Sequence, residues 1–223
     1  MIKLGFKATF LILILFTIGA CADSTEQKEA DKSKPVELRE YEEIMLSSIN
    51  DFRENSIKGP QYIDKDKYRL VISGLVDSMR TYTYDEIIER SSKEKVVTLN
   101  CVEGWSVTIL WEGILVRELI EEACVKPEAN TVIFHAQDGY SSSFPLSYIM
   151  DNDIMMAHKM NGLVMPPERG FPFELVAEGK WGYKWVKWIT KIELSDDKDY
   201  RGYWESRGYS NDGDLNKGFF EKR

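Results

Sequence analysis

An α+β fold is what the sequence predicts, and three features carry that expectation. Short apolar or alternating runs recur between Tyr68 and Leu194, each closed by a glycine, a proline or a polar turn. Helical signals are isolated, chiefly at 83–90 and 115–123, and do not alternate with the strands as a parallel α/β sheet demands. Residues 37–223 contain no second stretch of linker composition, so they read as one domain around a single core.

Taken in chain order, residues 37–50 mix charge with Leu38, Ile44, Met45 and Ile49 at loose helical spacing, which predicts a helix leaning on the domain. Tyr68 to Ile72 reads as a strand ended by Gly74. In TYDEIIER, 83–90, Thr83 is placed to cap a short helix and Glu86 to complete a capping box. Val96 to Leu99 is a β-branched strand that delivers Asn100 and Cys101 to its end, and 105–111 is the next strand. A helix follows from Leu115 to Ala123, with Pro127 beyond its end. Thr131 to His135 is a strand entering the turn Gln137-Asp138-Gly139, and 140–144 is extended. Residues 145–157 are expected to be helical, interrupted by Asp151, Asn152 and Asp153. After a glycine- and proline-rich crossing, 161–172, come Phe173 to Val176 and an alternating aromatic run, Trp185 to Leu194, read as the last strand. The tail beyond Leu194 is polar, and its composition leaves open whether it covers a cleft or decorates the surface.

The N-terminus carries an address. Lys3 and Lys7 precede an apolar core from Ala8 to Ile18, too short to span a membrane comfortably, and small residues then lead to Cys21. Ile18-Gly19-Ala20-Cys21 resembles the lipobox of bacterial lipoproteins, which implies a signal peptide over 1–20 and lipidation of Cys21. Residues 21–36 have almost no apolar content and read as a disordered tether. The expected product is anchored in the cell envelope outside the cytoplasm, in the outer membrane where the host has two. The formal net charge of −8 becomes more negative when Lys3 and Lys7 leave with the leader, so nucleic acid and anionic lipid surfaces are poor partners. Attachment to the membrane then rests on the lipid at Cys21.

Few residues suggest chemistry. Cys101, in LNCVEGWSV, sits where a strand gives way to a turn, which holds a thiol rigidly and lets it face a cleft, as a soft metal requires. A cysteine beside valine is also a common small core residue, and spacing alone leaves both readings open. Asp138 either caps its turn or touches a ligand, and Lys187 and Lys191 either serve a site or form the solvated face of a strand. Cys101 and Cys124 are the thiols left if Cys21 is lipidated, and a disulfide between them stays open. Two histidines without acidic partners at ligand spacing argue against zinc.

In order along the chain, YRLVISGLVD (68–77), TLNCVEGWS (98–106), QDGY (137–140), Asn161-Gly162 and GKWGYKWVKWITKI (179–192) resemble the molybdopterin-binding domain of the sulfite oxidase family. The nearest branch is that of the periplasmic methionine-sulfoxide-reducing catalytic subunits. The resemblance implies a mixed-sheet α+β domain that holds molybdenum between a pterin dithiolene and one protein thiolate, for which Cys101 is the matching residue. It further implies Gly104 and Asp138 beside the cofactor, and Lys184 and Lys187 of the G-x-K-x-x-K-W pattern near the pterin phosphate. The implied reaction is oxygen-atom transfer on a small oxyanion or a sulfoxide-like substrate. The sequence has no C-x-x-C-H haem motif, so the electrons are expected from a separate partner.

Two departures keep a second reading open. Pro172-Phe173-Glu174 puts a carboxylate where the family has arginine, which is expected to repel a phosphate, and Glu178 stands where proline is typical. Lys3 and Lys7 are not the paired arginines that accompany export of folded, cofactor-loaded members. The alternative function is a cofactor-free, lipid-anchored binding or accessory module that keeps the fold.

Overall fold

The computed structural model describes residues 35–221. The predicted signal peptide, the lipidation site Cys21 and nearly all of the predicted tether lie outside the described residues. Among the described residues no helix is long and apolar enough to cross a membrane.

Strand β5, Lys93–Asn100, and strand β6, Ser106–Leu115, form the backbone of the first sheet, paired antiparallel from Lys93 opposite Gly113 to Asn100 opposite Ser106. Alternation decides the faces: Val97 and Leu99 are buried, whereas Glu94 and Thr98 are exposed. The sheet continues from β6 to β9, Met155–Met160, and to β10, Leu163–Val164, all antiparallel, and β11, Glu174–Val176, also pairs with β9. Gly113 permits the β6–β9 approach at a register shift, because a Cβ there would lie 2.3 Å from the Met156 carbonyl oxygen.

The second sheet runs β4 (Arg80–Tyr82), β3 (Leu70–Gly74), β12 (Ile189–Ser195), β7 (Thr131–Ala136) and β8 (Ser141–Pro145). It is mixed, with β3 and β12 parallel and the other pairs antiparallel. Helix α1, Tyr84–Ile88, starts on the predicted capping box: the Thr83 hydroxyl accepts from the Glu86 N–H and the Glu86 carboxylate accepts from the Thr83 N–H. Helices α2, Val116–Glu121, and α3, Leu146–Asp151, follow β6 and β8 directly. Leu70 and Ile72 from one sheet and Ile109 and Ile114 from the other enter one buried cluster at 0% exposure, each worth roughly 1.5–3 kcal/mol of transfer free energy. The α+β, mixed-sheet expectation therefore holds.

Three local expectations do not. Residues 37–50 form no helix. They make a two-strand ribbon, β1 (Glu40–Tyr41) with β2 (Ile44–Met45), whose turn places Glu42 and Glu43 at positive φ. The helix expected over 145–157 stops at Asp151, because Met155 to Met160 are claimed by strand pairing on both sides of β9. The last strand starts at Ile189 rather than Trp185, since Trp188 turns to φ +57° and breaks the extended backbone.

Candidate functional site

Two hairpin loops, one from each sheet, are built the same way and frame a cavity. In the β5–β6 loop the Cys101 N–H donates to the Trp105 carbonyl (2.9 Å) and the Gly104 N–H to the Cys101 carbonyl (3.1 Å). In the β7–β8 loop the Ala136 N–H donates to the Tyr140 carbonyl (2.9 Å) and the Gly139 N–H to the Ala136 carbonyl (3.1 Å). Gly104 at φ +83° and Gly139 at φ +90° occupy the left-handed position that this three-residue loop reserves for glycine. The turn conformation accounts for Gly104: a Cβ there would meet no atom within 4 Å, and the residue does not line the cavity.

The cavity holds about 390 Å³, within the ~300–1,000 Å³ typical of sites that enclose a small molecule or cofactor. Cys101 lines it at 8% exposure, and its Sγ receives a weak bond from the Asn55 side-chain amide at 3.7 Å. Burial pushes the Cys101 thiol up, and the Glu103 charge adds to this. The Glu103 backbone N–H, the Asn55 amide and the Arg53 charge act in the opposite direction. Cys124 is exposed, and both cysteines are free thiols.

Asp138 also lines the cavity and is 2% exposed, and its Oδ1 accepts from the Tyr140 N–H at 2.9 Å. It caps the turn and lines the cavity at once. Lys187 lines the cavity with Nζ 3.1 Å from Glu54 Oε1 and 4.3 Å from the Trp188 ring centroid. Lys184 is elsewhere. It is 0% exposed, and its Nζ donates to Glu205 Oε1 (2.8 Å) and to the carbonyls of Ser143 (2.7 Å) and Asn211 (2.9 Å). Burial lowers its pKa and Glu205 opposes that shift. An ammonium sealed in this way is spent on the fold and does not reach the cavity, contrary to the phosphate-binding expectation.

Glu174 alters the electrostatic expectation. It lines the cavity at 3% exposure, and burial pushes its pKa up to about 8 against the opposing charges of Lys187 and Arg169. Burial therefore favours the neutral form of this carboxyl, which acts against the repulsion of a phosphate expected from residue type.

Arg169 is a cavity residue that the sequence did not reveal. Its guanidinium donates to the Ile49 and Phe52 carbonyls and lies 4.9 Å from the Phe52 ring centroid. Asn55 was missed as well, since 52–57 has no periodicity or motif. The C-terminal tail resolves its ambiguity here: Trp204 and Tyr209 line the cavity, and the Glu205–Lys184 pair pins the segment between them.

These features define a class, a protein with a single cavity-facing thiol beside cations and aromatic rings in a mixed-sheet α+β domain. The chain belongs to the oxidoreductase molybdopterin-binding domain family, whose model matches residues 57–204. An uncharacterized oxidoreductase of Bacillus subtilis, YuiH, is 32% identical over 156 residues, covering 70% of this chain and 78% of that protein. The protein-methionine-sulfoxide reductase catalytic subunit MsrP of Campylobacter jejuni is 26% identical over 187 residues, covering 74% of this chain and 63% of its own length. Among solved structures, the sulfane dehydrogenase SoxCD of Paracoccus pantotrophus superposes with a TM-score of 0.64 at 22% identity, covering 88% of this chain and 59% of that one. The last likeness speaks to the fold.

The residues present fit the family's cofactor. Cys101 offers one soft thiol donor to the cavity, and Arg53, Arg169 and Lys187 supply cations along its wall. When bound, the group would supply a metal able to accept or release an oxygen atom. The chain's own residues would anchor it, enclose it and set the local charge.

Proposed function

We propose that the protein is a molybdopterin-dependent oxygen-atom-transfer oxidoreductase, tethered in the cell envelope through a lipid on Cys21. The observation that carries the reading is Cys101, placed directly after β5 at the edge of the core and lining the cavity. Within the substrates expected, the cavity favours a sulfoxide-like molecule over an oxyanion. Four carboxyl-bearing residues besides Glu174 line it against three cations. Lys187 is already paired with Glu54, and Arg169 is held by two carbonyls. Of the three cations, that leaves Arg53 alone to meet a charged oxyanion. The rings of Trp105, Trp204 and Tyr209 suit the apolar substituents of a neutral oxide.

Electrons are expected from a separate partner, in keeping with a relative that is named as a catalytic subunit. The leader and lipobox support the envelope location. The cofactor-free alternative has one observation on its side, the sealing of Lys184 by Glu205.

Metal content decides between the two. Protein purified from its own host should carry about one molybdenum per chain with releasable pterin, and Cys101→Ala should lose the metal while staying folded, because no neighbouring thiol lines the cavity to replace it. Background molybdenum in the wild type, in a host that makes the cofactor, would favour the accessory module.

A further inference from the structure

Inside the cavity, Glu174 is a carboxyl that the fold has buried without giving it an ionic partner. The two nearby cations are engaged elsewhere, Lys187 with Glu54 (3.1 Å) and Arg169 with the Ile49 and Phe52 carbonyls (2.8 and 3.2 Å). Its stem is fixed from three directions. Glu174 stands opposite Ala157 of β9, bridges to Lys187, and lies under Gly170, where a Cβ would come within 3.0 Å of the Glu174 Cβ. Glu174 lines the same cavity as Cys101, so a substrate bound in that cavity shares it with the carboxyl.

We infer that Glu174 is the proton donor of this cavity, delivering a proton from its carboxyl to the oxygen that leaves a sulfoxide-like substrate. The inference rests on the oxygen-atom-transfer reading above. Reduction of a sulfoxide consumes two electrons and two protons and yields the corresponding thioether and water. The sulfur–oxygen bond breaks, two O–H bonds form, sulfur is reduced, and an external one- or two-electron donor is oxidised. Glu174 gives one proton from its Oε atom, solvent gives the other, and Glu174 is reprotonated through the mouth.

The surroundings suit a group that keeps its proton at neutral pH and yields it on demand. A buried carboxyl without a partner cation is more stable neutral, and burial sets this one near the operating range of a general acid. The charged groups facing it are Lys187 and Arg169, with Glu54 and Glu168 behind them as the carboxylate and backbone neighbours of Lys187. On β9 the opposing residue is the uncharged Ala157, and the next, His158, turns its ring to the other face against Phe173. Asp138 shares the cavity but spends one oxygen on the Tyr140 N–H.

The test compares the full-length, cofactor-loaded wild type with Glu174→Gln and Glu174→Asp, using dimethyl sulfoxide as substrate and a reduced viologen dye as electron donor. The wild-type kcat/KM should be flat at neutral pH and fall as the pH rises through about 8. Glu174→Gln should lose ~10²-fold or more at neutral pH, together with that alkaline limb, whereas the aspartate variant should keep part of both. A second readout needs no turnover: in the metal-free protein, the infrared carbonyl band of a protonated carboxyl should vanish on going from neutral to alkaline pH in the wild type and be absent from Glu174→Gln. A wild type that holds molybdenum and reduces no neutral oxide overturns the proposed function and this inference with it. An active wild type whose Glu174→Gln variant keeps its rate and its alkaline limb overturns the role of Glu174 alone, as does an infrared band unaffected by the substitution.

Discussion

Replacing Glu205 with alanine should be among the most damaging single changes in the domain. Lys184 and Glu205 are both 0% exposed, and their 2.8 Å contact is reinforced by a bond from the Ser142 hydroxyl to the same carboxylate oxygen. Removing the carboxylate leaves an ammonium buried with only the Ser143 and Asn211 carbonyls and the face of Phe144, 4.8 Å from its ring centroid. Breaking such a buried pair costs about 3–5 kcal/mol. At roughly 2–4 °C per kcal/mol for a domain of this size, Tm should fall by about 6–20 °C. Burial already lowers the Lys184 pKa while Glu205 holds it up, so the orphaned lysine sheds its proton more readily. The deficit should therefore be largest at acid pH and shrink as pH rises. Replacing both partners, Lys184→Met with Glu205→Leu, should recover most of the loss, because two charges no longer need to be desolvated. Thermal unfolding followed by circular dichroism measures all three variants. A Glu205→Ala variant that melts within about 2 °C of the wild type would refute the reasoning. The double variant should also retain molybdenum, since neither side chain reaches the cavity.

Other outcomes follow from the same geometry. In the folded, metal-free protein a thiol reagent should modify exposed Cys124 before Cys101, which is 8% exposed, although Cys101 lines a cavity; mass mapping of the first adduct checks this. Glu174→Gln should change stability with pH. The folded pKa of about 8 lies above the ordinary carboxyl value of 4.5, so the wild type is most stable below the latter and loses stability as pH rises towards the former. By mildly alkaline pH that loss amounts to about 3–5 kcal/mol, and the glutamine variant, which has no proton to lose, should escape it in denaturant titrations. Intact-mass measurement of membrane-derived protein should show a diacylated N-terminal Cys21, and a soluble product beginning elsewhere would contradict the lipoprotein reading.

Much of the architecture was legible because it is written locally. Thr83 and Glu86 announce α1 through reciprocal capping, and the β-branched run around Val96 announces β5 through alternation. The cysteine at the strand's end was found from its context, and the family resemblance gave it a role. What failed was what depends on distant partners. Met155 to Met160 look helical until β6 and β11 claim their backbone. Lys184 and Lys187 share one motif, but Glu205, far along the chain, seals the first and leaves the second at the cavity. Glu174 was given its charge from residue type, and burial, which favours the neutral form, is a term that only the folded structure adds. Arg169 and Asn55 gave no signal, since each acts through a loop whose position only the folded sheets determine.

The walls of the cavity come from both extremes of the described chain, Phe52 to Ile57 at one end and Trp204 with Tyr209 at the other. Synthesis runs from the first to the second, so a nascent chain paused between Cys101 and Tyr209 has the thiol but not the whole chamber around it. A guest can be walled on every side only once that last stretch has emerged. That makes the final segment a closing seam, and truncations that spare every sheet strand would still leave the chamber unwalled on one side.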